Sequence, residues 1–488
     1  MNKFQWVISK IIWSFTLIFI VGYVITANYF ENNRFEYFLY NAIALISYVA
    51  MVIMTTTAEK KYLAIWIGLL TFILLYFLRF YWITIDPIPV KFMLGPPSWE
   101  LMILDRIALL EAFKFSVIAF TCWSTAVISS LYLQRNQVTS SEDAYPGSLM
   151  NLRPIVPYLL LFIALLSAGL AYVSAYYHIG EMGAKLYISE PLPFHLKGVI
   201  FYVRTICIPI GFLVLIYMAE KVNLQKVSRI SMFLLPAFAV LDMFLRNSRS
   251  PLLLALLLLL FLILSGGIRF TVREKFIFVI VTGFSFMMVP MMKVYRSIRT
   301  TENLPYLEAL QKSLDVLQGN IFGQLFEGVK FIAFRMPGIE SLWAILTFHG
   351  KPIMEIPFSN WDFKGNGIAG YLSYVVHGSV HGITWGDNTL LAPGFIGWWY
   401  LISGLSGIIA GAIFIAVLTV ICEKYFYRKH FLSGPIPRVV FYWMLFMVLT
   451  EGTIDYMFYM YLVASITVLF IEAALTVLAR YSFKSRYV

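Results

Sequence analysis

Hydrophobic residues in this chain come in long runs, separated by short polar breaks. Runs of about 17–25 apolar residues match the thickness of a membrane's hydrocarbon core when helical. They fall near 11–30, 38–57, 62–84, 108–132, 154–177, 198–219, 229–246, 250–267, 275–295, 394–421, 437–455 and 456–479. The pattern predicts an all-α, polytopic transmembrane helix bundle of about twelve spans. The first run follows Lys3 and Lys10. It is too long for a signal-peptide core and has no small-residue cleavage site, so it is expected to be retained as a span. The last two runs form one apolar stretch that Glu451 and Asp455 interrupt.

Between residues 293 and 393 the pattern changes, and one long connection separates nine expected spans (1–292) from three more (394–488). In "LPYLEALQKSLDVL", Leu304, Leu307, Leu310, Leu314 and Leu317 share one helical face. "IFGQLFEGVKFIAFRMPGIESLWAILTF" reads as two helices broken at Pro337-Gly338. A glycine- and aromatic-rich stretch, "NWDFKGNGIAGYLSYVVHGSVHGITWGDNTLLAPG", completes the connection. A connection of this size with elements of its own usually carries function.

Composition agrees with a membrane location: 60% of residues are hydrophobic and 13% are charged, about half the charged share of a soluble domain. The net charge of +11 does not point to nucleic acid, because the basic residues are scattered over short connections. Alternate connections carry Lys60 and Lys61, Arg135 and Arg153, Lys221, Lys226 and Arg229, Arg269, Arg273 and Lys275, and Lys424, Arg428 and Lys429. With Lys3, Lys10, Arg480, Lys484 and Arg486 at the ends, all fall on one side of a twelve-span topology. That side, with both termini, is expected to be cytoplasmic. Cys122, Cys207 and Cys422 lie in separate apolar runs, so neither a disulfide framework nor a metal cluster is expected.

Arg246 and Arg249 break the charge rule. They flank a two-residue hinge, Asn247-Ser248, on the expected outer side, where Lys293, Arg296 and Arg299 also fall. The three-residue spacing puts each set on one helical face. With Arg335, they have the chemistry to bind a diphosphate, because guanidinium groups match phosphate in a two-pronged way. The competing reading has them reaching out to lipid head groups. His377 and His381 are four apart, without an H-E-x-x-H pattern or a nearby cysteine, so no metal is expected. His381, Asp387 and, behind them, His377 are candidates for a general base toward a sugar hydroxyl. Glu451 and Asp455 call for charged partners, with the arginines as candidates. His178, His195 and His349 have no context that singles them out. Trp361, Trp385, Trp398 and Trp399 suit either stacking on sugar rings or a membrane interface.

Three features together resemble Wzy-type polysaccharide polymerases, which are related to O-antigen ligases and to membrane glycosyltransferases of the C-type fold. They are arginine just before an apolar span ("RNSRSPLLLALL"), an external loop with Arg-x-Pro-Gly ("FRMPGIESLWAIL"), and a loop exit leading into a glycine-spaced aromatic span ("HGITWGDNTLLAPGFIGWWYLISGLSGIIAG"). The resemblance covers the chain from about residue 150 onward. It implies an enzyme of the bacterial inner membrane that needs neither metal nor cofactor. Such an enzyme transfers an undecaprenyl-diphosphate-linked glycan to the acceptor end of a second lipid-linked unit, on the outer face. The implied partners are that glycan, membrane lipids, a chain-length regulator and a flippase. Arginines would bind the diphosphate. Where the ligases carry a His-Asn pair, this chain reads Asp387-Asn388, so Asp387 or His381 would serve as base. Short cytoplasmic connections leave little room for a nucleotide-sugar site, which agrees with a lipid-linked donor. The alternatives are a ligase of the same superfamily, a lipid-linked oligosaccharide flippase, and a transferase using a polyprenyl monophosphate sugar, for which Glu31 and Glu36 would be the acidic pair.

Overall fold

The computed structural model describes residues 3–57, 62–93, 98–133, 152–180, 196–268, 278–280, 283, 288, 291–292, 294–299, 302, 304–317, 323, 326, 336–348, 350–355, 371–372, 392–428, 431–452 and 454–484. Among them every regular element is helical. The main helices are α1 (Lys3–Thr26), α2 (Arg34–Thr57), α3 (Leu63–Ile85), α4 (Arg106–Leu133), α5 (Val156–Tyr176), α6 (Leu196–Lys221), α7 (Gln225–Leu245), α8 (Ser250–Leu264), α9 (Tyr306–Leu317), α10 (Ile339–Thr347), α11 (Gly394–Arg428), α12 (Ile436–Glu451) and α13 (Ile454–Lys484).

Eight stretches among the described residues are long and apolar enough to cross a membrane. The first, Ser14–Thr55, holds both α1 and α2, joined where Phe30 leaves helical geometry. Of the other expected runs, 250–267 forms the 15-residue α8 and 437–455 forms the 16-residue α12. At 1.5 Å per residue these reach only about 22–24 Å, short of a full hydrocarbon core. The run 275–295 lies mostly outside the described residues. Apolar side chains such as Leu161, Phe162 and Leu165 on α5, and Leu469 and Phe470 on α13, are well exposed. This is the surface a lipid solvent requires.

The chain divides into two compact units. Unit 1 takes Met1–Thr139, Ala333–Tyr425 and Met444–Phe458. Its centre is aromatic: Phe80 stacks on Phe113 at 4.0 Å, and Phe72 lies 5.6 Å from Trp123. Helix α3 widens into a π-helical turn at Phe72–Leu78, and Arg79 follows it, 5% exposed. Arg79 donates to the Met336 carbonyl and pairs with Glu340, which is fully buried. The Gly338 N–H donates to the same Glu340 carboxylate at 3.2 Å. Burial pushes the Glu340 carboxyl above the usual range, and the Arg79 guanidinium pulls it back. Of the two helices expected around Pro337-Gly338, the second is described, α10 starting at Ile339, whereas nearly all of the stretch before Met336 lies outside the described residues. A glycine is needed because a Cβ at 338 would run into the Leu75 carbonyl. In α11 the glycine spacing serves packing: Trp399 lies across Gly411, with no space for a Cβ there. Glu451 is half-buried at the end of α12, whereas the Asp455 side chain is outside the described set.

Unit 2 takes Ser140–Ile332, Phe426–Trp443 and Tyr459–Val488. Helices α6 and α7 form a hairpin, closed by Asn223 at φ +58° with the Leu224 N–H on the Ala219 carbonyl at 2.8 Å. Helix α9 turns a different face inward from the one its leucines mark. Ala309 and Ser313 are fully buried, while Leu307 is 80% and Leu314 45% exposed.

Candidate functional site: a buried arginine cluster

Arg204 in α6 and Asp242 in α7 are ionisable residues inside apolar helices of unit 2. Charge at membrane depth is costly unless paired, and it usually marks function. Arg204 lies on a π-helical turn, Val203–Cys207, and forms an ion pair with Asp242. Such turns occur often at functional sites. One turn beyond Asp242, Arg246 ends α7. Its Nη1 lies 3.6 Å from Asp242 Oδ2 and donates to Thr205 Oγ1 at 3.1 Å. Its guanidinium lies 4.5 Å from the centre of the Phe201 ring. Arg246 is 2% exposed, so it points into the unit, not out toward lipid head groups.

The hinge after α7 is built by Asn247 at φ +50°. The Ser248 N–H donates to Met243 (3.1 Å) and the Asn247 N–H to Phe244 (3.3 Å), so the last carbonyls of the helix are satisfied. Asparagine tolerates this left-handed position. The turn sets Arg249, half-buried, at the start of α8. The negative end of the α7 dipole favours Arg246 in its place.

A second polar group adjoins through Tyr306, which is within electrostatic reach of Arg204. The Arg299 guanidinium lies 4.0 Å from the centre of the Tyr306 ring and donates to the Leu304 carbonyl. The Tyr306 hydroxyl is 3.3 Å from His178 Nδ1. His178 sits at φ +50° just past α5, with the Ile179 N–H on Ser174 at 3.0 Å. Gly180 then passes close to Phe201, where an added Cβ would come within 2.8 Å of the ring and 3.6 Å of Arg246 Nε.

Of the residues expected to bind a diphosphate, Arg246, Arg249 and Arg299 therefore belong to or border this cluster. Arg296 is exposed while Arg299 is buried, so their shared spacing does not give them a shared environment. Arg335, His377, His381 and Asp387 lie outside the described residues. Sequence reading missed Arg204 and Asp242, although both were visible as charges within the runs 198–219 and 229–246. It also passed over His178, whose partner Tyr306 is remote in sequence. Chemically, the cluster sets two guanidinium groups against one carboxylate, with Arg249 and Arg299 adding more positive charge. Such an arrangement has the chemistry to hold an anion. No protein-family model matches the chain, and neither does any curated protein or solved structure.

Proposed function

We propose that this protein is a membrane glycosyltransferase of about twelve spans, with both termini cytoplasmic. It joins undecaprenyl-diphosphate-linked oligosaccharide repeat units into surface polysaccharide on the outer side of the bacterial inner membrane. The observation that carries this reading is the inward-facing cluster of Arg204, Arg246 and Asp242, with its excess of positive charge in and at the end of apolar helices. In the reaction an acceptor hydroxyl attacks the anomeric carbon of the donor sugar. The bond from that carbon to the diphosphate oxygen breaks, and negative charge grows on the diphosphate. Preorganised guanidinium groups stabilise that charge, and a base, His381 or Asp387 with His377 behind them, takes the hydroxyl proton. The site's remaining task is to hold the two lipid-linked substrates aligned.

A lipid-linked oligosaccharide flippase is the second reading. It is favoured by buried Arg–carboxylate pairs inside both units, Arg79 with Glu340 and Arg204 with Asp242. Reconstitution separates the two. Purified protein in liposomes with the lipid-linked repeat unit should produce a ladder of polymers without any nucleotide sugar. Donor that crosses the bilayer with no new glycosidic bond would support the flippase instead. Transfer only to a lipid A core acceptor would mark a ligase.

A further inference from the structure

We propose that helix α9 is an interfacial helix, seated with its leucine stripe in the boundary between acyl chains and head groups of one bilayer leaflet. This seat is independent of the reaction and needs only a chain that lies in a membrane.

The twelve residues of α9, "YLEALQKSLDVL", divide into three faces. Successive residues stand about 100° apart around a helix. Ala309 and Ser313 share one face and are fully buried, so this face packs on unit 2. On the next face round, Leu307 and Leu314 are exposed, and Leu310 is half-buried at the seam between the two. Glu308, Gln311, Lys312 and Asp315 occupy the third face and are all exposed. Lys312 pairs there with Glu302. A helix between protein and water needs only two faces, an apolar one turned inward and a polar one turned out. Leucines that meet neither the core nor the charged face call for a third medium. An exposed apolar stripe rimmed by polar residues marks a surface for protein or for lipid, and the surroundings select lipid.

Helix α5 sets the level. Its 21 residues rise about 32 Å, the thickness of a hydrocarbon core. Leu161, Phe162 and Leu165 are exposed along it, with exposed Tyr158 near one end and Tyr172 and Tyr176 near the other. Tyrosine gathers at the head-group level of both leaflets. Tyr176 therefore stands at a membrane surface, the outer one in the proposed topology. Just beyond it, His178 Nδ1 lies 3.3 Å from the hydroxyl of Tyr306, the first residue of α9. Arg299 adds a second tie, donating to the Leu304 carbonyl and lying over the Tyr306 ring. Helix α9 thus begins at head-group level, beside a helix that faces lipid. Its polar face sets Glu308 and Asp315 against Lys312, so attraction to anionic head groups adds little and the leucines carry the seat. In this position the leaflet itself covers the stripe, and it holds Tyr306 and Arg299 at the level of the head groups.

The test is spin-label accessibility in the full-length protein, in vesicles of phosphatidylethanolamine and phosphatidylglycerol, with Cys122, Cys207 and Cys422 replaced by alanine. Labels on Leu307→Cys and Leu314→Cys should collide more with oxygen, which concentrates in lipid, than with a water-soluble nickel chelate. Labels on Gln311→Cys and Asp315→Cys should show the reverse ratio. The contrast should persist when phosphatidylglycerol is left out. Labels at 307 and 314 that favour the nickel chelate would place the stripe in water, and labels shielded from both reagents would place it under protein; either overturns the seat. A contrast that needs phosphatidylglycerol would overturn it as well. Lipid-seated leucines in a protein that forms no glycosidic bond would keep the seat and refute the proposed function. Polymerisation by a protein whose labels at 307 and 314 stand in water would do the reverse.

Discussion

Glu340→Ala is expected to lower the stability of unit 1 by about 3–5 kcal/mol, the usual cost of stranding one member of a buried ion pair. Arg79 and Glu340 are 5% and 0% exposed, so neither charge has solvent to fall back on. The pair also holds the turn before α10, because Arg79 binds the Met336 carbonyl and Glu340 accepts from the Gly338 N–H. Glu340→Gln keeps the shape and most of the hydrogen bonds, and should cost less. Replacing both residues by leucine should recover much of the loss, since apolar groups of similar size do well where a buried pair stood. Thermal unfolding in detergent, read by tryptophan fluorescence, measures all three variants. A midpoint in Glu340→Ala equal to that of the wild type would show that the pair contributes nothing.

The second large effect concerns the base. His381→Ala or Asp387→Ala is expected to cost at least about a hundredfold in polymerisation rate, the low end for removal of a general base. His377→Ala should cost less. The expectation comes from the loop exit, "HGITWGDNT", where the resembling ligases place a His-Asn pair. If both single variants and the double variant polymerise at the normal rate, neither residue is the base. His178, beside Tyr306, is then the first imidazole to test.

Much of the architecture could be read directly from the chain. Long apolar runs yield helices because no other open structure satisfies its backbone in lipid. Helix α10 starts only after Pro337-Gly338, because Gly338 stands outside helical geometry there. What could not be read was partnership. The spacing of Leu307 and Leu314 says that they share a face, but not whether that face meets protein, and here Ala309 and Ser313 meet it. The spacing of Arg296 and Arg299 suffers from the same gap. Arg79 and Glu340, like Arg204 and Asp242, are joined only by tertiary packing across long stretches of chain. Arg79, Arg204 and Asp242 stand as charges within apolar runs, whereas Glu340 lies in the long connection. Only the fold supplies the partner that makes each charge affordable. Arg246 was singled out as a charge on the expected outer side, but its inward direction depends on Asp242, Thr205 and Phe201.

The central claim is that this cluster grips the diphosphate of a lipid-linked donor. Arg249 is the best place to test it. Removing Arg246 would leave Asp242 short of a buried partner and mix folding with binding, whereas Arg249 is half-buried at the start of α8. The decisive measurement is the affinity of the folded protein for an undecaprenyl-diphosphate-linked repeat unit, in the wild type, Arg249→Lys and Arg249→Ala. A charge-assisted hydrogen bond is worth about 1.5–3 kcal/mol, so Arg249→Ala should bind about ten- to a hundredfold more weakly. Arg249→Lys should fall between, because lysine keeps the charge but loses the two-pronged geometry. Wild-type affinity in Arg249→Ala would contradict the diphosphate grip and return Arg249 to the role of a lipid-facing anchor.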